Sequence, residues 1–342
     1  MHDFEKKLMH KRQVIFLIVL CFILCVGNVQ AQIKGPKSRG GGFSSLARHK
    51  KYIEYIGGIG AANFLGEVGG ADQIGTNFLK DLNFSATRPS LQLAYRFKFE
   101  KRWAVKAGFY YQRVTGADSL TTEIYRNNRN LSFRSNIFEL SSQLEFYLTK
   151  GEQPGKRYKI RGAKGWTQSF VTIQVYTFMG VGAFYYNPKA KYNGKMVALQ
   201  PLGTEGQGFP GQPDKYSRIS VAIPFGLGLK QNITKNWTVG IEVAGRKTYT
   251  DYIDDVSNTY YDNERIRKER GNTAADLADP KLYKIPGEVI GYKVDYKGGD
   301  QGGAGQQRGD VRDRDAYMFV NITVGYKVPI RKSFRRKSSR HF

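Results

Sequence analysis

The sequence predicts an all-β fold, an eight-stranded antiparallel transmembrane barrel with long outer loops and short periplasmic turns. Three observations predict it. The stretch Asn136–Thr149, NIFELSSQLEFYLT, alternates strictly, with Phe138, Leu140, Leu144, Phe146 and Leu148 on one parity. Glu139, Ser141, Gln143, Glu145 and Tyr147 fall on the other. Period two marks a strand with one apolar and one polar face, and this one is longer than the about five or six residues a soluble sandwich needs. Crossing a membrane takes about nine to eleven residues, apolar toward lipid and polar toward a lumen. Second, seven further strand candidates follow it or precede it, and four of them alternate in the same way. Third, their connections alternate in size, long after the first, third, fifth and seventh, tight after the second and sixth and intermediate after the fourth, which a soluble barrel has no reason to do.

The N-terminus carries Lys6, Lys7, Lys11 and Arg12 before the apolar run Val14–Val26 and a small-residue site ending at Ala31. Residues 1–31 are therefore expected to be a secretory signal peptide, since the apolar run is short for a membrane helix. Both cysteines, Cys21 and Cys25, lie within it, preceded by Leu20 and Leu24 where a lipoprotein site wants a small residue. The remaining chain has no cysteine, so disulfides, thiolate catalysis and cysteine metal sites are excluded. Residues 32–51 form a Gly/Ser-rich basic arm without apolar period.

The strands follow in order across residues 52–328. Tyr52–Phe64 is rich in glycine, which suggests bending or close backbone packing. Arg88–Phe99 and Trp103–Thr115 alternate cleanly on either side of the tight turn Glu100–Arg102. After a polar loop, Gly116–Ser135, comes Asn136–Thr149. The fifth strand is expected over Ser169–Tyr186, the sixth over Ser217–Gln231, the seventh over Trp237–Tyr249 and the last over Ala316–Val328. Asn187–Tyr216 and Thr250–Asp315 carry no period and are expected to be outer loops. Trp103, Trp237, Tyr185, Tyr186, Tyr317 and Tyr326 sit near strand ends, where aromatic girdles form.

An eight-stranded barrel has an interior that side chains can fill. Arg96, Lys106, Glu139, Glu145, Glu242 and Arg246, with Lys98 and Lys230, fall on the inward parity. They are expected to pair as a lumen charge network and leave no open pore.

The formal charge of +25 is unevenly spread. The arm, the connection Lys150–Gln168 and the tail, residues 329–342, each hold six basic residues, against the single acid Glu152. Candidate docking residues are Lys156, Arg157, Lys159 and Arg161 in the connection, and Arg331, Lys332, Arg335, Arg336 and Lys337 in the tail. Such a surface suits an acidic periplasmic partner; attraction to anionic headgroups explains the charge equally well. An exported chain is not expected to meet nucleic acid.

No catalytic, cofactor or metal constellation emerges. Gly58-Ile59-Gly60-Ala61-Ala62-Asn63 lacks the last glycine of a dinucleotide loop and sits in a strand. Asp251, Asp254 and Asp255 lack the spacing of a calcium loop and are expected to be either solvated or hydrogen-bonding struts. Arg308-Gly309-Asp310 lies in a Gly/Gln-rich tract, where a chance match is expected. The histidines, His2, His10, His49 and His341, all lie outside the predicted barrel, so a Ser-His-Asp triad has no histidine there.

Tyr55–Gly69, YIGGIGAANFLGEVG, resembles the opening strand and first loop of PorG-like outer-membrane proteins. Gly116-Ala117-Asp118 with the strand NIFELSSQLEFYL is similar to that family's third loop and fourth strand, and Thr250–Asp262, TDYIDDVSNTYYD, to its strand-seven exit. The resemblance implies a non-enzymatic outer-membrane component of the type 9 secretion system, associated with a periplasmic ring of PorK- and PorN-like proteins. The basic tail and the Gln/Gly-rich insertion depart from the family pattern. A stand-alone barrel with an adhesin or envelope-structural role is the alternative.

Overall fold

The computed structural model describes residues 51–66, 68, 86–121, 124–149, 157–158, 167–168, 173–281, 305, 307–309 and 314–330. Eight strands form one closed antiparallel barrel: β1 Tyr52–Leu65, β2 Arg88–Lys98, β3 Trp103–Ala117, β4 Ser132–Tyr147, β5 Ile173–Tyr192, β6 Ile219–Asn232, β7 Trp237–Thr248 and β8 Ala316–Pro329. Each pairs with its neighbour in sequence, and β1 closes on β8 from Tyr52 opposite Pro329 to Leu65 opposite Ala316. Every strand has at least the eleven residues of β2, enough to cross a bilayer at a tilt. No helix among the described residues is long and apolar enough to cross one, which has no bearing on strands.

The two faces of the wall are inverted relative to a soluble barrel. Outward residues are apolar and open to the surroundings, with Leu140 67% and Ile59 66% exposed. Inward residues include arginine, lysine and glutamate, nearly all fully covered. The alternation in β4 is the one expected: Glu139, Ser141, Gln143, Glu145 and Tyr147 face in, and Phe138, Leu140 and Leu144 face out.

Two turns at one end are tight. Glu100 N–H bonds to Trp103 O, and Ile233 N–H to Trp237 O. At the other end the strands run on past their expected limits. The β3–β4 ladder continues to Ala117 opposite Ser132, four residues before the expected start of β4. Similarly, β5 runs to Tyr192 and turns back through Lys195–Ala198. Asn193 and Gly194 there have φ of 46° and 82°, the paired positive values of a type I′ hairpin. Asn187–Tyr216 is therefore in part a strand extension, not loop throughout.

The described part of the long segment after β7 is also structured. It holds α2, Asn263–Arg270, and α3, Asn272–Ala278, while α1, Ile124–Arg129, lies between β3 and β4. Asp262 caps α2 by accepting from Arg265 N–H, and Gly271 ends it with φ 86°. An apolar core including Val114, Phe133, Ile137, Phe184, Ile253 and Val256 fills the loop-side half of the barrel and continues beneath this cap.

Two of the expected girdle residues face inward instead. Tyr186 and Tyr317 are buried, while Trp103, Trp237, Tyr185 and Tyr326 remain on the outer face. Adjacent residues of a strand point to opposite faces, so Tyr185 and Tyr186 cannot share one role. The short ladder Arg157–Tyr158 against Thr167–Gln168 belongs to a separate unit.

Candidate functional site

The lumen is organised around Arg96, on the inward parity of β2. Its guanidinium donates to Glu54 at 2.9 Å, to Glu145 at 2.9 Å and to Glu242 at 3.2 Å. Those carboxylates come from β1, β4 and β7, so one side chain ties strands on opposite sides of the barrel. The planar fork makes this possible, because its several donors diverge at fixed angles. Lys106 adds a second cation, 2.8 Å from Glu242 and 3.5 Å from Glu145. Lys230 reaches Glu54 at 2.9 Å and the hydroxyl of Tyr147 at 3.2 Å. Tyr176 donates to Glu242 at 2.6 Å.

Arg246 and Glu139 form a second cluster, closer to the loop end. Arg246 Nε lies 2.8 Å from Glu139, whose carboxylate also accepts from Tyr317 at 2.9 Å. The guanidinium stacks near Phe319 and Tyr110, 4.7 and 5.1 Å from their ring centres. The six network residues expected from parity thus face the lumen but divide into two groups, Arg96–Lys106–Glu145–Glu242 and Arg246–Glu139. Parity misses Glu54, which bonds Arg96, Lys230 and Thr238. The signal was present, since Glu54 shares its parity with Tyr52 and Ile56 and alternates with Ile53 and Tyr55, but the glycines of β1 obscure its period.

The loop end is closed by a third polar cluster under the cap. Arg308 donates to Glu205 at 2.9 Å and to the carbonyl of Asp255. The Asp255 carboxylate accepts from Thr204 and Tyr216, both at 2.5 Å. Tyr216 stacks on Tyr252 with ring centres 4.4 Å apart. Burial raises Asp255 to about 6, against the pull of Arg308, Thr204 and Tyr216 toward the charged form. Burial likewise raises Tyr216 well above its ordinary value, with Asp255 adding to the shift. Arg129 clamps Asp118 through two bonds, at 2.7 and 2.9 Å.

Asp254 and Asp255 are therefore buried struts rather than solvated charges, Asp254 accepting from Val256 N–H at 2.9 Å. Among the described residues no three His, Cys, Asp or Glu side chains are set to hold a metal. Arg308 of the Arg-Gly-Asp sequence is buried, so that motif is not presented to solvent as a unit. Of the candidate docking residues, Arg157 lies in the short ladder, described for its backbone alone. Lys156, Lys159, Arg161, Arg331, Lys332, Arg335, Arg336 and Lys337 lie outside the described residues.

A family model described as a domain of unknown function, DUF6089, matches residues 43–195 and 210–277, well over half of the chain. The chain belongs to the DUF6089 family. The match takes in β1 to β7 and nearly all of the helical part of the cap, so the charged residues of the lumen fall within what the DUF6089 model covers, whereas Thr204, Glu205 and Arg308 of the cap cluster lie outside it. No curated protein matches this DUF6089 chain in sequence. Among solved structures, Ail of Yersinia pestis is 10% identical over 82% of this chain and 99% of its own, with a TM-score of 0.33. OprG from Pseudomonas aeruginosa is 11% identical over 82% and 97%, at 0.34. Neisserial surface protein A is 8% identical over 81% and 97%, at 0.32. These are distant likenesses, and the barrel is established by its own strand pairing.

Proposed function

We propose that this chain is a non-enzymatic outer-membrane component of the type 9 protein secretion machinery, docking a periplasmic ring complex of PorK- and PorN-like proteins. The observation that carries the membrane placement is the inverted wall: an apolar outer face around a charge-filled interior. Such a wall suits lipid outside and suits water poorly. The lumen is packed with paired charges and the loop end is tied shut, so conduction has no support among the described residues. What is left to act is the sequence attached to the ends of the wall.

The secretion reading rests on two further points. The arm, the connection and the tail hold eighteen basic residues and one acid, a distribution that attracts an acidic partner. The stretches Tyr55–Gly69 and Thr250–Asp262 resemble PorG-like proteins. Residues 1–31 would serve as the export signal. Deleting residues 329–342 and recovering partners from cross-linked envelopes at moderate salt tests the docking role. Reduced recovery of ring proteins is expected; unchanged recovery would remove the tail from the mechanism.

A stand-alone barrel with an adhesin or envelope-structural role is the second reading, favoured by the ordered cap. The buried bonds joining Arg308, Glu205 and Asp255 hold a firm loop surface, as a contact surface would require. Gene deletion separates the two: loss of secreted cargo favours secretion, and intact secretion with reduced adhesion or a weakened envelope favours the alternative.

A further inference from the structure

The outer wall carries one depression that membrane crossing does not require. Trp237, Tyr326, Tyr55 and Tyr95 stand opposite one another on four successive strands, β7, β8, β1 and β2. Their rings touch in pairs, with centres 5.0 Å apart for Trp237 and Tyr326 and 5.7 Å for Tyr55 and Tyr95. One step further along the strands, Gly57 sits between Val324 and Leu93. A row of rings thus borders a missing side chain.

The result is an apolar notch of about 680 Å³, walled by Leu93, Phe109, Leu140 and Val324. Gly57 is not needed there for close packing, since a Cβ at this position meets nothing within 4 Å. The contrast is Gly60, where a Cβ would fall 1.9 Å from the carbonyl of Val320. The backbone demands glycine at 60, whereas at 57 glycine leaves a hole. Ala107, opposite Tyr95, keeps the adjoining floor low.

The size and surroundings of the notch select an occupant. Its volume lies in the about 300–1,000 Å³ range of small-ligand pockets, and a protein partner needs a far larger face. The lining is apolar apart from tyrosine hydroxyls and the indole N–H of Trp237, groups that suit the ester and phosphate end of a lipid. At the turn end of β1–β3, Lys51, Lys101 and Arg102 are exposed. Gly57 is six residues from Lys51, about 20 Å along a strand at about 3.3 Å per residue. With a tilt of about 40°, that is about 15 Å of depth, close to half of a hydrocarbon core of about 30 Å. Cations at the rim and a hole one leaflet deep match the two ends of a phospholipid.

We propose that the notch over Gly57 seats one acyl chain of an anionic phospholipid in the leaflet at the turn end, with the headgroup held by Lys51 and Lys101. The site rests on the membrane placement argued above. Its consequence is a bound lipid that belongs to the barrel, not to the surrounding bilayer.

The test is native mass spectrometry of the full chain released from detergent after incubation with phosphatidylglycerol or phosphatidylcholine. The unaltered protein should keep one phosphatidylglycerol. Gly57→Leu, and independently Ala107→Leu, should reduce retention of both lipids by roughly tenfold, equivalent to about 1.4 kcal/mol. Lys51→Gln with Lys101→Gln should lower phosphatidylglycerol to the phosphatidylcholine level. Heat-modifiable migration on gels identifies the folded form of each variant. Equal lipid retention in folded Gly57→Leu and the unaltered protein overturns the site, as does a Gly57-dependent dimer in place of a lipid adduct. A chain that stays soluble without detergent overturns the membrane placement itself, a result distinct from failure of the notch.

Discussion

Arg246 Nε lies 2.8 Å from a carboxylate oxygen of Glu139, joining β7 to β4 through the middle of the barrel, and both side chains are completely buried. The two residues are 107 positions apart in sequence. Taking either charge out of water is costly, and their attraction offsets that cost only while both are present. The pair is a cross-brace whose single-partner loss leaves an unpaired charge inside a closed wall.

Glu139→Ala should therefore destabilise the folded barrel by about 3–5 kcal/mol, and Glu139→Leu combined with Arg246→Met should recover most of that loss. Urea unfolding in lipid vesicles, followed by tryptophan fluorescence, measures both. If the double variant is no more stable than the single, the loss comes from packing around Phe319 and Tyr110 rather than from the orphaned charge.

Acidity should tighten the cap. Asp255 is raised in the folded protein to about 6 from an ordinary 3.8, with burial the leading cause. Folding of the cap therefore takes up a proton between those two values. Its stability is highest below the unfolded value, falls as pH rises from about 4 to about 6, and levels off above. Hydrogen exchange of the segment around Ile253 and Val256 should be slower at pH 5 than at pH 7, after correction for intrinsic rates. In Asp255→Asn that difference should shrink; an unchanged difference would assign the pH response to another group.

Gly203 should resist substitution. It has φ of 59°, a conformation that side chains disfavour, and an added Cβ would lie 1.9 Å from the guanidinium of Arg270. That guanidinium donates to the carbonyls of Leu202, Gly203 and Gln207, tying the loop after β5 to α2. Gly203→Ala should cost the cap more than about 1 kcal/mol and speed protease cleavage within residues 199–216, leaving the barrel folded. Cleavage at the unaltered rate would show that the loop is held elsewhere.

The barrel was legible in the sequence because a half-exposed strand must alternate, and most of the eight stretches repeat that one instruction. The inward charges were legible for the same reason: parity places Arg96, Lys106, Glu139, Glu145, Glu242 and Arg246 on one face. The extension of β5 had a readable signal in Asn193-Gly194, masked by the glycines and prolines that follow. The cap was not legible. Arg308, Glu205 and Asp255 are separated by 50 residues or more, and nothing in their local sequences says that they meet.

By itself, then, the sequence determined the number of strands, the inward parity of the charges on the cleanly alternating strands and the segregation of basic residues into three segments, since all three follow from period and composition. Only the tertiary structure decided which charge pairs with which, because partners are set by strand register and closure. It alone showed Tyr186 and Tyr317 turned inward, Asp255 buried as a strut, and a hole over Gly57 beside a glycine that the backbone cannot do without. Parity selects a face of the wall, but distance across a closed barrel depends on how all eight strands come together.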